Sequence, residues 1–349
     1  MPLRVVQWTT GNVGRRALRA IAANPQLELV GLYAWSADKV GRDAGELAGI
    51  EKLGVAATND VDALLELEPD CVSYTPMWPD VDELVKILES GVNVVATAAF
   101  ITGHSFGESQ RQRLEQACQR GRSSLFGSGM NPGFANLLGL LSAGICDRID
   151  KISVLESVDS SGYNSPETEI PIGFTHPITN PDLPNMVRKG TAVFEDAVYM
   201  MADALGIELD SVVCEAGFAA ATRDVDLGYF VIKEGCVAGV EASWQGRIGG
   251  RTVIDLKVRW RKGQHIEPDW PLEHGYLVEV EGQPCVRTKL EIRPPKGFVA
   301  RSFEDFMQLG MIMTALPAVN AIPAVCDAAP GIHTYVDLPL ITGRGFVSA

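Results

Sequence analysis

The run Thr9-Thr10-Gly11-Asn12-Val13-Gly14 joins an apolar stretch, LRVVQW, to a segment in which Val13, Ala17, Leu18 and Ile21 recur at helical spacing. Residues of these types at such a corner can hold an anion. Gly11 lets the backbone approach closely, the first N–H groups of the helix face the ligand, and Gly14 lets the helix pack on the strand. A dinucleotide pyrophosphate is the anion this spacing suits, with Thr9 standing where the first glycine of G-x-G-x-x-G would be and offering a hydroxyl instead. Taken alone, the same pattern describes an ordinary strand-turn-helix corner. Further on, AWSADKVGRDAGEL supplies Ser36, Lys39 and Arg42, a hydroxyl with two cations that suits a 2′-phosphate. NADP is therefore the expected cofactor; nearby Asp38 keeps NAD possible, and the two cations also read as solvated helix surface. A hydride added to carbon must be matched by a proton on the heteroatom. Glu156, Tyr163, Glu167, Glu169 and His176, within ESVDSSGYNSPETEIPIGFTHP, are the candidates to deliver it, each with a purely structural reading beside the catalytic one.

The elements that must position these residues alternate over the first part of the chain. Strand-like runs LRVVQW, LELVGLYAW, VAAT, DCVSYTP, VNVVAT and SSLFGSG are separated by helix-patterned segments, of which VDELVKILESG is the clearest. This order predicts an α/β, Rossmann-type doubly wound parallel sheet. Ligands then bind at the carboxyl ends of the strands. There lie Thr75 and Pro76 of TPMWPD, Thr97 and Ala98 of VNVVATA, and Asn131 and Pro132 of SGMNPGFAN, all expected to contact the cofactor. Asn131 could hold the nicotinamide carboxamide or ribose, Pro132 fixes the turn and Met130 makes an apolar wall, or the stretch is a plain Asn-Pro-Gly turn. Trp78 reads equally as pocket wall and as packing.

From about Ile152 the pattern changes to longer runs with period two, broken by glycine turns and by one amphipathic helix, FEDAVYMMADALGI. That predicts a second, α+β domain on a mostly antiparallel sheet. The expected division is 1–147 for the nucleotide domain, 148–300 for a substrate and dimerisation domain, and 301–349 for a helix, proline-rich turns and a tail packing back on the first domain. A length of 349 residues and a charged fraction of 21% fit such a globular pair. A net charge of −14 argues against nucleic acid as a partner. No apolar run reads as reaching the roughly 18–20 residues of a membrane span, so none is expected. Seven scattered cysteines suit a reducing, cytoplasmic setting, and five dispersed histidines suggest no metal site.

QWTTGNVG, SADKVGRDAGEL, SGMNPGFAN, IEPDWPLEHGY and NAIPAVCDAAPGIHTYVDLP together resemble the dihydrodipicolinate-reductase-like group, and within it the 2,4-diaminopentanoate dehydrogenase and native amine dehydrogenase family. The resemblance covers essentially the whole chain. It implies an NAD(P)-binding Rossmann domain, a homodimer, and reversible hydride transfer at a carbon bearing an amine or imine, with a small carbonyl or amine compound as substrate. It also implies that Tyr163 lines the pocket. The glutamate that polarises ammonia in this family falls, in this chain, within GVNVVATAAFITG, where Ala98, Ala99 and Phe100 offer no carboxylate. Reduction of a ketone or preformed imine, or a silent NADP(H) sensor, are the readings this departure opens.

Overall fold

A computed structural model of the chain describes residues 1–300 and 302–347. It begins with β1 (Leu3–Trp8), α1 (Asn12–Ala23), β2 (Leu27–Tyr33), α2 (Ala44–Ala48), β3 (Ala57–Thr58), α3 (Val61–Leu65), β4 (Cys71–Tyr74), α4 (Val81–Glu89), β5 (Asn93–Ala96), α5 (Glu108–Gly121) and β6 (Ser124–Gly127). Next come α6 (Phe134–Ala143), β7 (Arg148–Asp159), α7 (Pro166–Glu169), α8 (Leu183–Gly190), α9 (Val193–Leu205), β8 (Ser211–Ala221), β9 (Val225–Asp226) and β10 (Val231–Ile232). The chain continues through β11 (Val237–Ile248), β12 (Arg251–Arg261), β13 (Ile266–Glu267), β14 (Gly275–Gln283), β15 (Val286–Leu290), α10 (Phe303–Cys326) and β16 (Gly331–His333). Two compact units result: Met1–Phe134 with Gly310–Ala349, and Ala135–Leu309.

The first unit is built on a seven-stranded sheet in the order β16-β6-β5-β4-β1-β2-β3, with its pairings parallel. Its strands are buried on both faces, which is why they read as apolar runs rather than as alternation. One face packs Val6, Val72 and Val94 against Leu84, Ile87 and Leu88 of α4 and Leu114, Ala117 and Cys118 of α5. The other packs Val5, Val95 and Phe126 against Ala17 and Ile21 of α1 and Ala318, Ile322 and Val325 of α10. Each large side chain buried completely, such as Ile322, contributes about 1.5–3 kcal/mol. α1 stops where the Asn24 N–H turns back to Ala20 and Ile21 and Pro25 follows.

α10 departs from the sequence reading in two ways. It runs through Pro317 and Pro323 instead of breaking into turns. Burial of Ala315, Ala318, Ala321 and Ile322 against the sheet outweighs the backbone bonds that the prolines forgo. Its Asp305–Cys326 stretch also reaches the length and composition of a membrane span, contrary to the expectation that no run would. Part of that apolar surface is accounted for by the sheet it covers.

In the second unit the seven strands follow the order β13-β8-β11-β12-β7-β14-β15, antiparallel except for the parallel β12–β7 pair. Val240, Ala242 and Trp244 of β11 are buried on one face with Ile254, Leu256 and Val258 of β12, and the Trp244 indole donates to Thr191 Oγ1 (2.9 Å) beside α9. The residues between them carry charge, with Glu241 bridging Lys257 and Arg259, and Asp255 bridging Lys151. Register therefore separates an apolar face from a charged one. The single helix expected here is α9; α7 and α8 are additional. Both are short, α7 a single turn and α8 about two, and although Leu183, Met186 and Val187 keep helical spacing, the run is too brief to stand out beside the long strands.

Candidate active site

Strand order places β1 between β2 and β4, the point at which an open α/β sheet reverses and leaves a crevice at its carboxyl edge. The loops after β1, β4, β5 and β6 all emerge at that edge, and they are tied to one another. Thr75 N donates to the Trp8 carbonyl (3.2 Å) and Thr97 N to the Tyr74 carbonyl (3.0 Å). The Thr75 hydroxyl donates to the Trp8 carbonyl at 2.7 Å and meets Thr9 Oγ1 at 3.2 Å. Thr75 is thus buried and serves as a tie between strands, while Pro76 beside it is half-buried. Trp78 is 54% exposed, so its ring is not core packing of the first unit.

Thr9 has a φ of 73°, in the left-handed region that a β-branched residue rarely enters. A glycine would sit there without strain; threonine stores about 1–3 kcal/mol. The conformation is held from three sides. Thr9 N donates to the Tyr33 carbonyl (3.0 Å), the buried Gln7 amide donates to the Thr9 carbonyl (3.1 Å) and to Thr75 Oγ1 (2.9 Å), and the two threonine hydroxyls meet. Gln7 was absent from the sequence reading. A polar side chain in the middle of LRVVQW was the signal for it.

The two glycines differ. A Cβ on Gly14 would lie 2.5 Å from the Thr9 carbonyl oxygen and 2.7 Å from Thr75 Oγ1, so the helix and the strand meet where only glycine fits. A Cβ on Gly11 would meet no protein atom within 4 Å. α1 starts from Gly11 with no side-chain oxygen closing its first turn, whereas Asp43, Asp60 and Asp80 close α2, α3 and α4. Open helix N–H groups of Asn12, Val13 and Gly14, with Thr10 buried beside them, fit a pyrophosphate.

At the end of β2 the Ser36 hydroxyl donates to Asp38, and that bond, with Lys39 and Arg42 nearby, holds the Asp38 carboxyl below its ordinary value. A carboxylate and two cations share this corner, so it contains groups for ribose hydroxyls and groups for a phosphate. After β5, Ala98 and Phe100 turn into the core beneath α4 and α5, while Ala99 between them is partly exposed. After β6, Met130 is buried, Asn131 and Pro132 are half-buried and joined by a cis peptide, and Ser128 Oγ lies 2.7 Å from Tyr335 Oη. Tyr335, pushed up to about 12 by burial, was not foreseen; it is brought to the β6 loop by the β16 pairing.

The proton-transfer candidates are distributed differently in the second unit. Glu156 lies mid-strand, paired across β7 with Val258 and Tyr276, and accepts from the Trp260 indole (2.8 Å). Its carboxylate is committed to the sheet, and it also raises the Tyr276 hydroxyl beyond the effect of burial. His176 is half-buried, its backbone held by β11 through the Val237 N–H (2.8 Å). Glu167 is exposed. Tyr163 lies half-exposed in the segment between β7 and α7, its N–H on the Ser160 carbonyl (2.9 Å). Glu169 is 3% exposed and paired with Lys262. Burial pushes its carboxyl up to about 7 against the pull of the lysine, and burial lowers Lys262 in turn. Lys262, which follows β12, is not among the residues picked out from the sequence.

Residues 136–345 match the 2,4-diaminopentanoate dehydrogenase C-terminal domain, and residues 5–127 match the dihydrodipicolinate reductase N-terminus. An amine dehydrogenase from Streptomyces virginiae is 31% identical, covering 97% of this chain and 96% of its own length. A 2,4-diaminopentanoate dehydrogenase from Acetoanaerobium sticklandii is 27% identical over 74% of this chain and 70% of its own. The structure of an amine dehydrogenase from Mycobacterium smegmatis shares the fold with a TM-score of 0.80 at 20% identity, covering 99% of this chain and 98% of that one. With a domain match over more than half its length and a relative aligned from end to end, the chain belongs to the 2,4-diaminopentanoate dehydrogenase and amine dehydrogenase family of NAD(P)-dependent oxidoreductases.

Proposed function

We propose that the protein is an NADP-preferring oxidoreductase that transfers hydride between the nicotinamide and a small or medium carbonyl or imine–amine pair. The observation that carries this reading is the β1–α1 corner, where Gly11 leaves room for a phosphate that the open end of α1 can bind. NAD(P)H, when bound, supplies the hydride. The N–H groups of Asn12, Val13 and Gly14 hold its pyrophosphate, Gln7 and Thr75 keep the Thr9 turn in place, and Asn131 and Pro132 border the nicotinamide. Lys39 and Arg42 receive the 2′-phosphate. Tyr163 gives the proton to the heteroatom as the hydride reaches carbon.

A second reading is favoured by one feature. No carboxylate stands at Ala98, Ala99 or Phe100, and two of these three side chains are core. On this reading the enzyme reduces a ketone or a preformed imine and does not activate free ammonia. NADPH oxidation with a panel of ketones and preformed imines, the ketones with and without ammonium, tests both: turnover that requires ammonium supports amine formation, turnover indifferent to it supports the second reading, and none with any ketone or imine refutes the proposal. A homodimer is part of the proposal, with the charged face of the second sheet as the surface suited to it.

Cofactor choice is tested separately. Arg42→Ala is expected to weaken NADP on the order of tenfold, the worth of one charge-assisted contact, and to leave NAD nearly unchanged. Equal weakening of both in a fluorescence titration would refute the NADP assignment.

A further inference from the structure

Ten residues, from Ser160 to Glu169, join β7 to the end of α7 and carry Tyr163 near their middle. Ser160 N donates to the Arg261 carbonyl (2.9 Å), which ties the start of the segment to β12; beyond it the backbone bonds are local, with Tyr163 N on the Ser160 carbonyl (2.9 Å), Ser165 N on the Tyr163 carbonyl (3.1 Å) and Glu169 N on the Ser165 carbonyl (3.1 Å). Local turns of this kind do not fix where a loop points. A single ammonium does more. Lys262 Nζ donates to the Ser160 carbonyl (2.7 Å) at one end of the segment and to Glu169 Oε1 at the other. It also donates to Tyr229 Oη (3.3 Å), which donates to the Ser161 carbonyl (3.0 Å). The lysine is fully buried, and its Nζ lies over the rings of Phe174 (5.0 Å), Tyr229 (5.8 Å) and Phe230 (5.8 Å). Cation–π contacts stabilise a desolvated ammonium that water would otherwise claim.

Lys262 is itself placed by the sheet. It follows β12, whose Arg261 pairs in register with Asp159, and its N–H donates to the Ala238 carbonyl (2.8 Å). Rigid strands thus fix both the start of the segment and the group that pins its far end, the arrangement that holds a reacting side chain to within a fraction of an ångström.

We propose that Lys262 is a positioning residue: by holding Ser160 and Glu169 together it sets the place of the Tyr163 hydroxyl for proton transfer. The proposal rests on Tyr163 being the proton donor. Lys262→Met should lower kcat on the order of tenfold or more with KM little changed, because the lost interaction acts only as the proton moves. Glu169→Ala should do the same, while Glu169→Gln, which can still accept from the ammonium, should keep most of the rate. Since Lys262→Met leaves a buried carboxylate without its partner, the doubly neutral Lys262→Met/Glu169→Gln protein serves where the single variant does not fold. Hydrogen exchange of the 160–169 amides should quicken in each folded variant that lacks the link, a readout independent of turnover.

Tyr163→Phe separates the two ideas. If it lowers kcat and Lys262→Met adds nothing on top of it, the positioning role stands. If Tyr163→Phe lowers kcat while the doubly neutral protein retains native kcat and native exchange, Lys262 is only structural and the proposal fails alone. If Tyr163→Phe keeps native kcat, the proton-donor reading and the positioning role fall together.

Discussion

Gly11→Val is expected to weaken NADPH on the order of a hundredfold or more, close to 3 kcal/mol, while the protein melts within a few degrees of the native temperature. The expectation comes from what surrounds this glycine. Its backbone is extended, with φ −67° and ψ −170°, which valine adopts readily, and a Cβ there touches no protein atom within 4 Å. The fold therefore has no use for the missing side chain; only a ligand does. Gly14→Ala is the control with the opposite sign. Its methyl would press on the Thr9 carbonyl and Thr75 Oγ1, so about 1–3 kcal/mol of stability should be lost before any cofactor is added. Titration and thermal melting of the two variants separate ligand room from packing room. Native affinity in a folded Gly11→Val protein would move the phosphate away from this corner.

Ala99→Glu should raise ammonium-dependent amination of a ketone on the order of a hundredfold, the usual worth of a placed acid–base group. Ala98 and Phe100 are unsuitable for this change, because their side chains fill the core beneath α4 and α5. Ala99 is the one of the three that is partly exposed. Removal of water around a carboxylate raises its pKa, so the gain should grow with pH until the new glutamate is ionised. The measurement is reductive amination by native and variant protein over a range of pH and ammonium. Fast amination by the native protein would show that a carboxylate elsewhere already does this work.

Much of the fold was legible because its signals are periodic. The β1–α1 corner and the strands buried on both faces stand out as short apolar runs, and the second sheet as alternation, with Val240, Ala242 and Trp244 against Glu241 and Ser243. The site was legible only where backbone geometry dictates residue type, as at Gly14. Thr9 shows the limit, since what the turn requires is a torsion, and Gln7, Tyr33 and Thr75 supply from outside the motif what a glycine would have given from within. Side-chain commitments were not legible at all. Whether Glu156 is free or held depends on Trp260 and Tyr276, and whether Lys262 is solvated depends on Phe174 and Tyr229, none of them near in sequence. The same holds for α10, where Pro317 and Pro323 argue for turns until the sheet beneath them is known.

The first unit is made from two stretches of chain, since β16 and α10 return to it only after the whole of the second unit. On the ribosome this imposes a wait. β6 is synthesised roughly two hundred residues before its edge partner β16, and one face of the sheet has only α1 as cover until α10 emerges. At about 5–20 residues per second the delay is about 10–40 s, long against the folding time of most small domains. For that interval the nascent sheet presents an open strand edge and the apolar residues Val5, Val95 and Phe126, a natural client surface for ribosome-bound chaperones. Yield in a heterologous host should then depend on translation speed and chaperone supply more than on the stability of the finished protein.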